Sequence, residues 1–544
     1  MKNTIPVGLL LVAHWAIPSA ALGQFPFAQG VASGDVTDTT AIVWTRVAPP
    51  GAVRLEIAND SAFNSIVQSI DIAAPVNSDG TIKSYVTGLS PATAYFYRFI
   101  DVGTASVSSL GTFRTAPSSD DPRPFRFVYT GDSNATDQPF HVLGTAASEQ
   151  PDLWFWAGDT TYADGIADGL PRATNLAGYR AKHLQNRADA FLQTLLGAAA
   201  THVQWDDHEV ANDYDGGELE SHISETQRQA AYQAFFEYMP LRPQNISGDE
   251  SRIYRSVRYG ALAEFFILDC RQYRSRDVGR EGGGPDPRAF LLPTLEIETI
   301  IRLADPARTM LGPDQLAWLK EGLKNSTATW KFVLSSVPFT SLLFIPYDRW
   351  DGYVAERYDL LRYIDTNNIT GVVRMAADLH SNLYNPDVTY FLRNSIRQDF
   401  SPFFRVPEII AGPIATDTLQ QEIGDFGAAI LGVSGGEFRG TLLFDVGFEF
   451  LRNMIVEKNR LQFVEPDRFA YTRVDVTADA LTVTWRGIPP DSSIPAPLLE
   501  TIQTVTIDRS EPNACGLGLL FPMLLTIGAP FVVRRYCRIA STKS

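Results

Sequence analysis

Phe125-Arg126-Phe127-Val128-Tyr129-Thr130-Gly131-Asp132-Ser133-Asn134 is an apolar, strand-forming run that stops on an acid. Three later stretches repeat the pattern. Leu153-Trp154-Phe155-Trp156-Ala157 runs into Gly158-Asp159-Thr160-Thr161-Tyr162. His202-Val203-Gln204-Trp205 runs into Asp206-Asp207-His208-Glu209, with Asn212 and Asp213 close behind. Val372-Val373-Arg374-Met375-Ala376-Ala377 runs into Asp378-Leu379-His380. In an open α/β sheet, sites form beyond the carboxyl ends of the strands, so residues just past four strand ends can converge in one crevice. Unneutralised, Asp132, Asp159, Asp207 and Asp378 would repel one another and their pKa values would rise. Bound cations resolve that conflict. Oxygen and imidazole donors, with no thiolate in these motifs, suit Ca, Mn, Fe or Zn. Each piece alone is weak: Gly-Asp pairs are common turn formers, and acids also favour helix N-termini. The signal is the ordered set of four.

The surroundings agree with that placement. From Phe125 onward, apolar strands alternate with helical stretches at Tyr179–Leu196, Ser224–Met239, Gln315–Lys324 and Val354–Tyr363. Further strands are expected at Ala263–Leu268 and Lys331–Ser335, and Tyr471–Val476, Leu481–Trp485 and Thr501–Ile507 alternate with period two. The fold class implied is α/β, with a layered α/β/β/α body over residues 118–510 preceded by a small β-sandwich over 24–117. In the sandwich, Thr40–Arg46, Val53–Ile57 and Gly111–Thr115 read as short strands. Leu89-Ser90-Pro91-Ala92-Thr93-Ala94-Tyr95-Phe96-Tyr97-Arg98 resembles a fibronectin type III module. No cluster of acids with histidine falls there, so that region reads as structural.

Length and composition bound the rest. The chain has 544 residues, 45% hydrophobic and 20% charged, enough for about three domains and a large core. Its formal net charge of -16 argues against DNA or RNA as an extended ligand. Cys270, Cys515 and Cys537 form no zinc or disulfide framework. Residues 1–23 carry Lys2, an apolar run from Ile5 to Ile17 and small residues at Ser19–Gly23, the order of a secretory signal peptide. Residues 511–544 hold 19 uncharged positions, Cys515 to Val533, followed by Arg534, Arg535 and Arg538. That order is similar to bacterial C-terminal membrane or sorting tails. The expected location is therefore exported (periplasmic, cell-surface or extracellular), with the tail contacting membrane or sorting machinery.

The motifs resemble those of the PhoD family of alkaline phosphatases and phosphodiesterases, within the calcineurin-like metallophosphoesterases. The resemblance rests on Gly158–Asp164, Trp205–Tyr214, Leu268–Arg274, Leu311–Leu319, Trp350–Tyr353 and Asp378–His380, and spans about residues 28–510. It implies a dinuclear or trinuclear centre of ferric iron and calcium, with zinc or manganese as alternatives. Asp132 would sit at the first metal, Asp159 would bridge two metals, and Tyr162 would bind iron as phenolate. Asp207 and Asn212 would hold the second metal, and Asp378 and His380 would complete the pair. His208 would donate to phosphate or the leaving oxygen. Arg271 would either bond the phosphate or serve as a structural ion pair. Three departures stand out: Gly131-Asp132-Ser133-Asn134 has no cysteine where relatives can place one at the first metal motif, Ser335-Ser336-Val337-Pro338 lacks a histidine many calcineurin-like enzymes carry, and Ala377 precedes Asp378 where glycine is frequent.

The activity implied is hydrolysis of a phosphate ester, alkaline phosphatase-like, by in-line attack of a metal-bound hydroxide with His208 protonating the departing alkoxide. Phosphodiesterase or phospholipase D-like activity on the same scaffold is the nearest alternative. A non-catalytic surface binding protein is a further one. A serine hydrolase is disfavoured, because no Gly-x-Ser-x-Gly elbow precedes a suitable Asp and His order.

Overall fold

The computed structural model describes residues 25–509 apart from 74–76, 168, 217–222, 243–248, 250, 277, 279–301, 341–348, 387–405 and 491–497. The expected signal peptide and C-terminal tail lie outside the described residues. Among the described residues no helix is long and apolar enough to cross a membrane.

Two sheets face each other. Numbered in chain order, the larger runs from β21 (Glu500–Asp508) through β20 (Ala480–Ile488), β19 (Phe469–Val476), β8 (Phe125–Ser133), β9 (Leu153–Ala157), β10 (Ala200–Gln204), β1 (Val31–Gly34) and β2 (Ala41–Arg46) to β5 (Thr81–Val86). β17 (Pro413–Ala415) pairs with the end of β8. The second sheet runs β11 (Arg255–Tyr259), β12 (Ala263–Ile267), β13 (Trp330–Leu334), β14 (Val372–Ala376), β16 (Glu408–Ile410), β15 (Asn382–Asn385) and β18 (Phe463–Glu465). A third, of four strands, holds β4 (Ile66–Ile72), β3 (Val53–Ala58), β6 (Ala94–Asp101) and β7 (Gly111–Arg114).

The central strands are parallel, β8 to β9 to β10 and β12 to β13 to β14. Parallel strands are covered on both faces, which is why β9 reads as an unbroken apolar run and is buried throughout. Its side chains still alternate. Leu153 and Phe155 point between the sheets, and Trp154 and Trp156 point to the helical side. Between the sheets Phe127 meets Phe332 edge-on at 5.2 Å, and Phe155 lies 4.4 Å from Phe265.

Helices α1 (His141–Ser148), α2 (Leu176–Arg187), α3 (Ala190–Ala198) and α4 (Glu225–Tyr238) cover the outer face of the larger sheet. α5 (Gly312–Asn325) and α6 (Val354–Thr366) cover the second. The result is α/β/β/α. α7 (Leu419–Leu431), α8 (Gly435–Arg439) and α9 (Leu442–Asn459) follow β17. The single helix expected over Tyr179–Leu196 is two, because Asp189 turns to extended backbone and caps the second by accepting the N–H of Leu192. The N-terminal strands are shared out: β1, β2 and β5 extend the larger sheet through the parallel β1–β10 pairing, and the four-stranded sheet packs against them.

Candidate metal centre

The four strand-end motifs meet. Asp132 ends β8, Asp159 follows β9, Asp207 and His208 follow β10, and Asp378 and His380 follow β14. Donor atoms of Asp132, Asp159 and His380 lie within 4.8 Å of one another, as do those of Asp159, Asp207 and His208, and those of Asp206, Asp207 and Asp378. Asp159 belongs to the first two of these groups and Asp207 to the last two. The Tyr162 hydroxyl is 3.2 Å from His380 Nε2, on the rim of the first group.

The backbone is bent to bring them together. Asp132, Asp159, Asp378 and His380 have φ of 60, 47, 62 and 53°, a region non-glycine residues rarely enter. Costs of this kind persist where surrounding structure enforces them, and they gather at working sites. Gly158, at φ 93°, has no alternative: a Cβ there would stand 2.7 Å from that of Asp206. Ala377 fits before Asp378 because Gly131 lies opposite, where an added Cβ would come within 2.6 Å of it. Glu209 ties two motifs together, accepting from the N–H and hydroxyl of Thr160 and from the N–H of Asp206.

The electrostatics are those of a site built for cations. Burial lifts Asp132, opposed mainly by His380, to about 7. Burial together with Asp207, Asp206 and Glu209 lifts Asp159 well above the carboxylate range. Burial would lower His208, yet Asp159, Asp207 and Asp164 outweigh it and hold the imidazole well above its ordinary value. His380 is likewise carried against burial to about 9 by Glu422, Asp132 and Asp378. Asp132 Oδ2 is buried with no hydrogen-bond partner. A buried, unpartnered carboxylate oxygen beside a second raised carboxylate is costly without an ion, and the oxygen and imidazole donors fit a hard or borderline one.

The remaining sequence candidates fall at different depths. Asn212 is exposed, and its carboxamide donates to Asp213 while its backbone N–H donates to Asp164 at 2.8 Å. Arg271 is fully buried. Its guanidinium grips Asp206 through two nitrogens and reaches Asp207 at 3.3 Å and Asp378 at 3.5 Å. These contacts place it in a buried ion-pair cluster with the third acidic group. Arg271→Ala is therefore expected to cost about 3–5 kcal/mol, because it strands buried carboxylates. Urea unfolding measures this; a raised KM with unchanged stability would mean that Arg271 serves the phosphate instead.

Three residues were given no role from sequence: Asp164, Arg349 and Glu422. Asp164 accepts from His208 Nδ1 at 2.7 Å, and the His208 ring stacks on Tyr162 at 4.1 Å between centroids. Arg349, 21% exposed at the rim, stands 3.4 Å from Asp378. Glu422, on α7, stands 2.8 Å from His380 Nδ1. Asp164 falls within Gly158–Asp164 and Arg349 directly precedes Trp350–Tyr353, so both have a local signal, whereas nothing local marks Glu422.

Comparison with known proteins points one way. The family described as PhoD-like phosphatase matches residues 127–485, and its N-terminal domain matches residues 13–117. Alkaline phosphatase D of Bacillus subtilis (strain 168) is 31% identical over 397 residues, which cover 66% of this chain and 65% of that protein. A solved structure titled "Structure of PhoD" superposes with a TM-score of 0.72 at 26% identity, covering 89% of this chain and 91% of that one. Purple acid phosphatase PPD1 from yellow lupin (Lupinus luteus) shares the fold at a TM-score of 0.52 and 13% identity, over 92% of this chain and 77% of its own.

Proposed function

The chain belongs to the PhoD-like phosphatase family, and from that premise we propose that it hydrolyses phosphate esters at a two-ion centre. One observation carries the reading: Asp159 is shared between two groups whose atoms lie within 4.8 Å, with Asp132 and His380 on one side and Asp207 on the other, while His208, the remaining member of the second group, is kept for proton transfer. Two ions are favoured over three because Arg271 already faces the third acidic group. Ions held there would supply a water of lowered pKa and neutralise charge gathering on the phosphate oxygens. Iron with calcium is the pairing we favour, with Tyr162 beside the first site; zinc or manganese would suit the same donors.

The chain's own residues do the rest. Asp164 fixes the Nδ1 edge of His208, and Tyr162 fixes its plane. Nε2 is left to deliver a proton to the departing alkoxide. His208→Asn and Asp164→Asn should each lower kcat about 10²-fold on alkyl esters, whose leaving groups need that proton. Aryl esters with acidic leaving groups should be far less affected. An equal loss on both substrate types would remove His208 from the proton-donor role.

A phosphomonoester is the substrate we favour, with diesters as the second reading. The segments at 1–23 and 511–544 support export and retention at a membrane. Elemental analysis of the purified protein, run beside a panel of mono- and diesters, tests the whole. Iron, calcium and monoester turnover are expected. Stoichiometric zinc alone would overturn the metal pairing, and no metal with no turnover would leave a surface binding protein.

A further inference from the structure

We propose that Glu422 is a positioning residue for His380, holding the imidazole in the tautomer that turns Nε2 towards the metal centre. The proposal rests on the metal reading above. His380 presents Nε2 to the Tyr162 hydroxyl at 3.2 Å and to Asp132 at 4.0 Å. Its other nitrogen, Nδ1, stands 2.8 Å from Glu422 Oε1. A histidine that binds a metal is neutral and has one N–H left; whatever accepts that N–H decides which nitrogen is free to bind. With Glu422 at Nδ1, the free lone pair is on Nε2. The contact is an ion pair at hydrogen-bond distance, and no hydrogen-bond partner occupies Nδ1 among the described residues.

The first turn of α7 is tied to this histidine twice. The N–H of Leu419 donates to the carbonyl of His380 at 2.9 Å, and Glu422 follows one turn later. That turn is itself anchored. Thr418 and Gln421 form a reciprocal cap, and the Thr418 hydroxyl donates to Asp467 at 2.7 Å. Leu379, Leu383, Leu419, Ile455 and Val456 pack together beneath it. Glu422 itself is 48% exposed, so as a stability element the pair is worth little. Its placement makes sense through the ring it orients.

The rival explanation is that an acid in the first turn of a helix merely suits the helix dipole. The two differ in what they move. Holoprotein with Glu422→Ala, Glu422→Gln or Asp159→Asn is titrated with a chelator, and metal per chain is read by elemental analysis. The melting temperature of each stripped form is recorded alongside. Glu422→Ala should release one ion at about a tenfold or greater lower chelator concentration than wild type. Glu422→Gln, whose amide oxygen still accepts the N–H, should recover most of that loss. The stripped melting temperatures of wild type and the Glu422 variants should agree. Should Glu422→Ala fold poorly, Glu422→Gln and Glu422→Asp carry the test, because Asp keeps the charge but falls short of Nδ1. Wild-type metal retention in Glu422→Ala, or a lowered melting temperature with an unmoved chelator midpoint, would overturn the proposal while the metal reading stands. A wild type that holds no metal, with Asp159→Asn indistinguishable from it, would overturn both.

Discussion

Asp159→Asn is expected to reduce turnover on the order of 10³-fold or more and to release bound metal, while raising the melting temperature of the metal-free protein. The first two effects follow from its shared position. Ions at such a centre supply several kcal/mol of transition-state stabilisation, and each 1.4 kcal/mol is about tenfold in rate. The third effect has the opposite sign for a plain reason. In the metal-free protein burial and the neighbouring acids penalise the Asp159 carboxylate, holding its pKa well above the usual range. An amide of the same shape removes that charge and can still accept the His208 N–H now made at 3.3 Å. At pH 8, then, stripped Asp159→Asn should melt above stripped wild type, and the order should reverse once metal is added to both. Differential scanning fluorimetry with and without chelator measures the crossing. A variant that melts lower in both states would mark Asp159 as a packing residue and not a ligand.

What the sequence disclosed and what it hid divide along one physical line. Strands β8, β9, β10 and β14 are buried runs that end abruptly on acids, so both their existence and their common end were legible from local pattern. The convergence of Asp132, Asp159 and Asp207 followed, because the parallel strands β8, β9 and β10 carry their C-terminal ends to one edge, whereas His380 arrives from β14 of the facing sheet, a meeting that local pattern does not announce. Contacts made through side chains of distant elements were not legible. That Arg271 is buried among Asp206, Asp207 and Asp378 could not be read from its own motif. Glu422 sits in a helix with no strand-end signature, and only the return of the chain through β17 brings it to His380. The N-terminal strands look like a free-standing sandwich because alternation reports which face is buried, not which sheet a strand joins. The pairing of Ser33 with Ala200 is a long-range event that neither segment announces.

Stripping the metals should destabilise the protein more at high pH than at low pH, and by a large margin. In the metal-free state Asp132 is lifted from 3.8 to about 7, and Glu209 from 4.5 to about 7, burial being the main cause of both. Between those limits the folded protein keeps a proton that the unfolded chain has lost, so stability falls as pH rises from about 4 to about 7. His380, raised from 6.5 to about 9 against burial by Glu422 and Asp132, extends the fall to about pH 9. Asp164 is lowered, with the His208 bond overcoming burial, so its contribution is already complete above pH 4 and adds no slope in this window. Metal binding runs the other way, because ligands must be deprotonated and affinity climbs with pH. Two ions, each at about a thousandfold excess over its Kd, add ~8 kcal/mol. For a chain of this size that corresponds to a melting difference of about 7 °C. The gap between holoprotein and stripped protein should therefore open steadily from pH 5 to pH 9 in paired thermal melts. If the stripped protein instead grows more stable across that range, the buried carboxylates already have partners without metal, and the centre is not held together by cations.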